Sequence, residues 1–269
     1  MSLYLLSGYH VLTVAGAKAA TFLQGQLTID VNSITAYRAT LAAHCNPKGR
    51  IIANFILGCM APSLYYLIVP AELAPILKLT LQKYAAFSQV EVYDEPNNYQ
   101  LIATQTPLVD ASITLLLNYP SLSIAFCKQS IATSHDWKSY LIQHGIVMID
   151  LNTSEQYTPQ AIGFDLCGGV CFNKGCYTGQ EIIARIHFRG QCKDGLYYAD
   201  CVANSSPPTH TAVSDDSGPI GRVLMVADQG TDSYPILLNL RHQAADRTLV
   251  VEGYGQIENI KICSPRIPE

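Results

Sequence analysis

The sequence predicts a mixed α+β protein of two or three domains that ends in a region of short strands. Up to Gly190, apolar residues with helical spacing alternate with strand-like segments. After Gly190, strand patterns are separated only by turns rich in Gly, Pro, Ser and Asp, which is typical of a small barrel or sandwich. With 269 residues, 49% hydrophobic and 14% charged, the chain is long and apolar enough to fill several cores.

The N-terminal part contains both kinds of element. Apolar residues at 19, 20, 22, 23 and 27 predict a helix over 17–30. The turn sequence Asn-Pro-Lys-Gly at 46–49 predicts two strands joined as a hairpin. We also expect strands over 9–16, 64–70 and 89–95 and a helix over 71–87.

Signals are weaker from 97 to 135, where two short strands are expected. A short helix is predicted over 134–145, with Ser134 or Asp136 as its N-cap and Gly145 just after its end. The uncharged stretch 51–69 is long enough to span a membrane. Because Asn54, Pro62 and Ser63 interrupt it, we interpret it as two strands rather than a span.

Composition excludes several classes of protein. A net charge of −4 argues against a general nucleic-acid binder, so direct tRNA binding is not expected. Nine cysteines form no CxxC pair, and their odd number argues against a disulfide scaffold. We therefore expect reduced cysteines and a cytoplasmic protein. No secretory signal is predicted, because the first positive charge, Lys18, follows the apolar run. No histidine pair has metal-site spacing.

The segment from Phe172 to Gly190 carries the strongest chemical signal. Thr178 and Glu181 form a capping-box pattern, so a helix is expected to start at Gly179. Cys176 then lies at the positive end of the helix dipole with Lys174 nearby, and both favour a thiolate. Further along, Arg185 and Arg189 have the spacing of one helix face, so an anionic ligand or partner would suit this segment.

Plainer interpretations remain open for the same residues. Cys176 fits equally well as one of several small core residues, and Glu181 as a helix cap rather than a base. Cys167, Cys171 and Cys176 have the spacing of no common iron–sulfur ligand run. Trp137, the single tryptophan, is either a core residue or a platform for an aromatic ligand. The polar residues His44, Cys45, Lys48 and Arg50 around the 46–49 turn form either a plain turn or a cavity rim.

Residues 174–181, KGCYTGQE, resemble the signature octapeptide of the YgfZ family, which is related to the glycine cleavage T-protein. Five further stretches resemble the family in the same order: FLQGQLTID, LAAHCNPKGRI, KYAAFSQVEV, TPQAIGF and ARIHFRG. The resemblance covers the chain from about residue 3 to 200 and is weak between 97 and 135. It implies an aminomethyltransferase-like fold of three domains arranged as a cloverleaf around a central cavity, with a ferredoxin-like α/β unit and a C-terminal β-barrel.

Domain borders follow from the same resemblance. Residues 1–36 and 97–188 are expected to form a discontinuous folate-binding domain. Residues 37–96 are expected to form the ferredoxin-like unit, and 189–269 the barrel.

The resemblance also implies a function. It implies binding of tetrahydrofolate in the central cavity and a role as accessory protein for iron–sulfur enzymes, including a radical enzyme that thiomethylates tRNA. The key thiol maps to Cys176. The rest of the motif maps to Lys174, Gly175, Tyr177, Gly179, Gln180 and Glu181. Tyr9, Trp137, Gln143, Arg185 and Arg189 are the expected folate-site residues.

The chain departs from the family pattern at two expected folate contacts. Tyr9 stands where a tryptophan is expected, and Gln143 where relatives carry an acid that can pair with the pterin ring. A glutamine gives and accepts hydrogen bonds but forms no charge-assisted pair. The alternative function is that of a T-protein-type aminomethyltransferase, which needs an aspartate near the folate; Asp30 is the acid nearest to the matching stretch.

Overall fold

The computed structural model contains a large mixed sheet with helices and a separate closed barrel. It describes residues 3–96, 99–105, 113–119, 122–128, 135–190, 192–227, 232–241 and 247–263. Within these ranges the α+β class and the C-terminal barrel predicted from the sequence are confirmed. The predicted Ser134 cap lies outside the described residues.

The large sheet has ten strands in the order β10-β1-β7-β9-β8-β3-β4-β5-β2-β6. Their bounds are β1 Leu3–Leu5, β2 Tyr9–Ala15, β3 Arg38–Cys45, β4 Ile51–Ala61, β5 Leu64–Pro70, β6 Glu91–Asp94, β7 Gln100–Thr104, β8 Ile113–Tyr119, β9 Leu122–Cys127 and β10 His135–Asp136. Four α-helices are described: α1 Ala19–Gln26, α2 Ala74–Ser88, α3 Trp137–Gln143 and α4 Gln180–Arg189. Short 3-10 turns cover Val31–Ser33, Ala71–Leu73 and Pro159–Ile162.

The C-terminal strands close into a six-stranded barrel in the order β11-β14-β13-β12-β15-β16. They are β11 Asp194–Ala203, β12 Ala212–Asp215, β13 Gly218–Val226, β14 Ser233–Arg241, β15 Val250–Val251 and β16 Gly255–Ile262. The barrel has its own apolar interior, separate from the larger core that joins the ten-stranded sheet to the helices. Closure removes free strand edges, which explains how so many short strands form a stable unit.

The first helix is shorter than the sequence predicts. The apolar period runs on past Gln26, but α1 ends there and Leu27 takes an extended conformation. The reason is tertiary: the backbone N–H of Thr28 donates to Ala43 O at 3.0 Å, and Thr28 Oγ1 accepts from Ala43 N at 3.1 Å. Pairing with β3 therefore outweighs the local helical preference.

The apolar stretch 51–69 forms β4 and β5, joined at Pro62 and Ser63, as predicted. In the described part of the chain, no helix is both long and apolar enough to cross a membrane. The hairpin predicted at Asn-Pro-Lys-Gly is also confirmed, with β3 and β4 on either side of the 46–49 turn.

The ten-stranded sheet has a seam between β3 and β8. These strands run parallel and pair, within the described residues, at the single position Arg38–Asn118. One half of the sheet holds β1 and β7–β10, and the other holds β2–β6. The partition of the chain into three domains stays a prediction.

Asn54 on β4 fixes the extended segment that follows α3. Its side chain is fully buried; Nδ2 donates to Val147 O at 2.7 Å, and Oδ1 accepts from Ile149 N at 2.8 Å. A segment without helix or strand partners must satisfy its buried backbone groups in some other way, and this amide does so for two of them. Asn54 thereby holds residues 146–150 against the sheet.

We expect Asn54→Leu to lower the free energy of unfolding by about 3 kcal/mol, because two buried backbone groups lose their partner and leucine supplies none. Urea unfolding followed by circular dichroism measures the change. The matched control is Asn173→Leu at an exposed position, which should change stability by less than about 0.5 kcal/mol. Equal unfolding midpoints for the two variants would contradict this role of Asn54.

Candidate functional site

A cavity of about 250 Å³ lies where β2, α3, the 146–150 segment and the barrel meet. We call it the tryptophan cavity. Its lining combines aromatic and apolar side chains with several carboxylates: Ser7, Tyr9, Pro70, Glu72, Asp136, Trp137, Lys138, Leu141, Met148, Ile149, Asp150, Thr209, Leu224 and Met225. Two residues predicted from the sequence to bind the same ligand, Tyr9 and Trp137, therefore lie together.

Trp137 is the first residue of α3, and its position is set by the helix cap. Asp136 accepts hydrogen bonds from Lys138 N at 3.2 Å and Ser139 N at 2.8 Å, so the predicted Asp136 cap is confirmed. The indole is 4% exposed and stacks on Tyr140 with ring centroids 5.1 Å apart. One ring face is thus packed in the protein, while the side chain still lines the cavity.

The indole nitrogen of Trp137 is buried and has no hydrogen-bond partner among the described residues. The hydroxyl of Tyr9 lies close to it, but the geometry falls short of a hydrogen bond. A buried N–H without an acceptor costs free energy, and native proteins rarely leave one unless a ligand or water completes it. Because this nitrogen is fully buried, a ligand in the cavity meets the indole ring rather than its N–H.

Tyr9 presents a neutral hydroxyl to the same cavity. Burial raises its pKa well above the usual value; the neighbouring Trp137 N–H opposes the rise and the Asp136 carboxylate adds to it. The phenol therefore stays protonated at neutral pH and is available as a donor.

The carboxylates that line the cavity already accept hydrogen bonds from other groups of the protein. Asp150 accepts from Thr153 N at 2.9 Å and from the hydroxyl of Thr209. Glu72 accepts from Leu151 N at 3.3 Å, and Asp136 caps α3. These bonds fix the carboxylates in place, and each carboxylate retains lone pairs for a ligand that donates.

The other predicted folate residues lie elsewhere. Gln143 is an exposed residue of the last turn of α3 and does not line the tryptophan cavity. Arg185 and Arg189 do lie on one helix, since α4 extends to Arg189, but both are exposed and neither lines the cavity.

The octapeptide lies in a loop that packs on the end of α1. The Lys174 ammonium donates three hydrogen bonds to backbone carbonyls there: Gln24 O at 2.8 Å, Leu27 O at 2.7 Å and Ile29 O at 2.6 Å. A helix C-terminus carries partial negative charge and unpaired carbonyls, so a lysine at this place satisfies both. The ammonium therefore binds backbone carbonyls around the end of α1, rather than Cys176, whose thiolate it was expected to favour.

Burial lowers the pKa of Lys174 to about 8, against the opposing attraction of Asp30 and Cys171. At neutral pH the side chain therefore remains charged. Three accepting carbonyls favour that charged form in addition. The ammonium also lies over the Tyr177 ring, with Nζ 4.9 Å from the ring centroid.

The predicted capping box at the start of α4 is wrong. The N-cap is Gly179 rather than Thr178, and no side chain, including that of Glu181, bonds to the cap. Gly179 has φ of 85°, and an added Cβ would lie 2.6 Å from Asn46 O and 3.0 Å from Gly49 Cα. Contact with the 46–49 turn therefore requires glycine at this position, and that shifts the helix start by one residue.

The polar residues around the 46–49 turn form a plain turn. Asn46 Oδ1 accepts from Lys48 N at 2.9 Å and Arg50 N at 3.1 Å, the pattern of an Asx turn. His44 and Cys45 are buried, and none of these residues lines the tryptophan cavity.

Cys176 is the one exposed cysteine of the nine. All nine are free; five are buried and three half-buried. Burial raises the pKa of Cys167 to about 12, and also raises the pKa of Cys45 and Cys201. Because Cys176 is exposed, the interpretation of this cysteine as a core residue is wrong.

The three neighbouring cysteines do not share one environment. Cys167 is buried with Sγ 3.9 Å from Gly145 O, Cys171 is half-buried and Cys176 is exposed. In the ranges that the structure describes, no group of three or more His, Cys, Asp or Glu side chains is placed to hold a metal ion.

Sequence reasoning missed much of the cavity lining. Residues 146–150 supply Met148, Ile149 and Asp150, and the barrel supplies Thr209 and Met225. No local pattern marks these residues, because they meet only through the packing of distant segments. One available signal was the buried polar Asn54 inside an apolar strand, since such an amide must have partners.

Known proteins with similar sequences settle the family. No family model matches the chain. The tRNA-modifying protein YgfZ of Enterobacter sp. (strain 638) is 30% identical over 233 residues, covering 74% of this chain and 71% of that protein. The YgfZ protein of Photorhabdus laumondii is 31% identical over 244 residues, covering 77% and 73%. The chain belongs to the YgfZ family.

The fold of this YgfZ family member is that of the aminomethyltransferases. The crystal structure of glycine cleavage system aminomethyltransferase T from Bartonella henselae matches 100% of this chain and 88% of its own, with a TM-score of 0.71. Sequence identity is 14%, so the likeness concerns the fold alone.

We expect Lys174→Met to lower the free energy of unfolding by about 2 kcal/mol, because the carbonyls at the end of α1 lose a charged donor while the apolar stem is kept. Thermal and urea unfolding measure the effect. Lys48→Met, at an exposed lysine of the 46–49 turn, is the control and should be nearly neutral. If both variants unfold together, the three hydrogen bonds of Lys174 do not hold the loop.

Proposed function

We propose that this protein is a folate-binding accessory protein for iron–sulfur enzymes, among them enzymes that thiomethylate tRNA, and that Cys176 is its working thiol. Tetrahydrofolate or a close derivative binds in the tryptophan cavity. The protein acts in the cytoplasm on partner enzymes and not by binding tRNA itself.

The observation that carries the folate proposal is the meeting of Trp137 and Tyr9 in the lining of one cavity of about 250 Å³. Burial keeps the Tyr9 hydroxyl neutral, so it remains a hydrogen-bond donor. A pterin supplies an aromatic ring system, with ring nitrogens and a carbonyl oxygen as acceptors. The cavity has room for such a two-ring head, while the remainder of a folate extends beyond it.

Carboxylates of the cavity suit the donor edge of the same ring. The pterin presents adjacent N–H groups, and a carboxylate accepts two parallel hydrogen bonds. Relatives are expected to carry such an acid at the position of Gln143, but that residue is exposed. Glu72, Asp136 and Asp150 line the cavity instead and are held in place by the protein.

The proposal for Cys176 rests on the structural roles of the other residues of the octapeptide. Lys174 anchors the loop, Tyr177 is buried and Gly179 meets the 46–49 turn. Cys176 is exposed, and beside it Gly175 would meet no atom within 4 Å if it gained a Cβ. The thiol is therefore open to a partner, and neither residue is required for packing.

The part played in tRNA modification is supported by the relatives, which are named tRNA-modifying proteins. The net charge of −4 favours action through a protein partner rather than direct contact with tRNA. Nine free cysteines fit a reducing compartment such as the cytoplasm.

The fold supports the aminomethyltransferase alternative, but the position of Asp30, the acid expected for that activity, does not. Asp30 does not line the tryptophan cavity. Its carboxylate instead accepts from Gln24 Nε2 at 3.0 Å and Asn32 N at 3.2 Å, which stabilises the turn after α1.

Tetrahydrofolate should quench the fluorescence of Trp137 in a saturable way under anaerobic conditions. The chain has one tryptophan, so the whole tryptophan signal reports on the cavity. Tyr9→Ala should weaken binding about tenfold, because the cavity loses an aromatic wall and a hydrogen-bond donor. Tyr254→Ala, at an exposed barrel tyrosine, should bind as the intact protein does. An unchanged spectrum at saturating ligand would exclude the cavity as the folate site.

Cells that lack their own family member should regain tRNA thiomethylation when supplied with this chain, but not with Cys176→Ala. The thiomethylated nucleoside, measured by mass spectrometry, gives the readout. Cys263→Ala, at a half-buried cysteine, is the control and should restore the modification. Equal rescue by Cys176→Ala would leave the accessory role intact and remove the thiol from it.

A further inference from the structure

Helix α4 starts a few residues after Cys176 and presents an exposed face. The exposed residues have the three- or four-residue spacing that places side chains on one side of a helix: Glu181, Arg185, Phe188 and Arg189. Neither arginine lines the tryptophan cavity, so their charges are open to a partner other than the folate.

The 46–49 turn adds two cations to this face. Gly49 packs on α4, since a Cβ added to it would lie 3.0 Å from Ile182 Cβ. Lys48 and Arg50, on either side of Gly49, are both exposed. The turn therefore places two positive charges beside the helix.

Arg185 and Arg189 lie on the side of α4 that meets the turn. They follow Ile182 by about one and two turns of the helix, and residues with that spacing share one side. Together with Lys48 and Arg50 they form a cluster of cations around the contact between the turn and the helix.

Cys176 lies at the edge of this cluster. The contact of Gly179 with the turn shows this, because a Cβ added to Gly179 would lie 3.0 Å from Gly49 Cα. The segment from Cys176 to Gly179 spans at most about 10 Å, so the exposed thiol stays close to that contact. We call Cys176, the four cations and the other exposed residues of α4 the thiol face.

The thiol face carries an excess of positive charge. Within the described residues none of its four cations takes part in an ion pair, and Arg50 donates to a neutral acceptor, the backbone oxygen of Gln156. Two exposed carboxylates lie near them: Glu181 on α4, and Glu155, whose N–H donates to Ile51 O at 2.7 Å. The cations outnumber these carboxylates, although the chain as a whole has a net charge of −4.

Phe188 gives the face an apolar group in a fixed position. The residue is 67% exposed, and its ring meets the rings of His187 and Phe172 edge-on, with centroids 4.7 and 6.1 Å away. Those two rings stack on each other at 3.6 Å. A scattered exposed phenylalanine is common, but an aromatic side chain held in place beside arginines has the composition of a hot spot in a protein interface.

We propose that the thiol face docks the partner enzyme through a segment of that enzyme in which acidic residues flank an apolar side chain. The apolar side chain covers Phe188, and the acidic side chains pair with Arg185 and Arg189. The proposal rests on the role of Cys176 given above and specifies the surface through which a partner reaches the thiol.

Charge complementarity selects this occupant. A second copy of the chain would bring two positive faces together, and like charges across an interface are costly. A long polyanion such as tRNA would meet the acidic remainder of the chain, whereas a short acidic segment of a protein contacts the thiol face alone.

Binding of the purified tRNA-thiomethylating iron–sulfur enzyme, measured by biolayer interferometry, tests the proposal. Arg185→Glu combined with Arg189→Glu should weaken binding at least about tenfold, and higher salt should weaken binding of the intact protein. Phe188→Ala should weaken it about tenfold. The control, Lys18→Glu combined with Lys83→Glu, makes the same change of net charge at exposed lysines outside the thiol face and should bind as the intact protein does.

The possible results separate this proposal from the proposed function. If the charge reversal lowers the unfolding midpoint, Arg185→Gln combined with Arg189→Gln takes its place and should also weaken binding. Equal affinity of the arginine variants and the control would overturn the proposal. Salt-sensitive binding of tRNA that the same substitutions abolish would overturn it too, because the thiol face would then bind RNA. Absence of enzyme binding by the intact chain would overturn the docking surface, while the rescue experiment with Cys176→Ala decides separately whether the proposed function stands.

Discussion

The exposed thiol depends on one half-buried interaction, the contact of the Lys174 ammonium with three carbonyls at and just after the end of α1. The loop that carries Cys176 has no strand or helix of its own until Gln180. Its position is therefore set by what it attaches to. A charged donor among carbonyls at and beyond a helix end is a strong attachment, and the Thr28 carbonyl adds another by accepting from Cys171 N at 2.9 Å. The end of α1 thus serves as the base of the motif.

The octapeptide divides into residues that build the loop and residues that the loop displays. Lys174, Tyr177 and Gly179 are accounted for by anchoring, burial and the contact with Gly49. Gly175, Cys176 and Glu181 have no packing role in the described structure. Several positions of this sequence motif are therefore explained by the folding of the loop, and only a few are left for a chemical role.

The sequence was most informative where local rules operate. The 46–49 hairpin, the Asp136 cap and the alternating C-terminal strands follow from turn chemistry and residue spacing, and all are confirmed. The rules failed where distant segments meet. Pairing of Thr28 with Ala43 shortened α1, and the approach of Gly49 moved the start of α4. The tryptophan cavity was half predictable: its two aromatic residues came from the family resemblance, whereas its carboxylates and barrel wall come together only through packing.

The seam between β3 and β8 gives the tryptophan cavity a mechanical property. Tyr9 begins β2, in one half of the sheet, and Trp137 directly follows β10, in the other. Within the described residues the halves are bonded along the seam at one pair, so a relative twist there breaks few hydrogen bonds. Side-chain packing joins the halves instead: the ring of Tyr66 on β5 lies 5.6 Å from the ring of Phe126 on β9, and one apolar core contains residues of both halves. The distance between the two aromatic walls of the cavity is therefore set by packing across the seam.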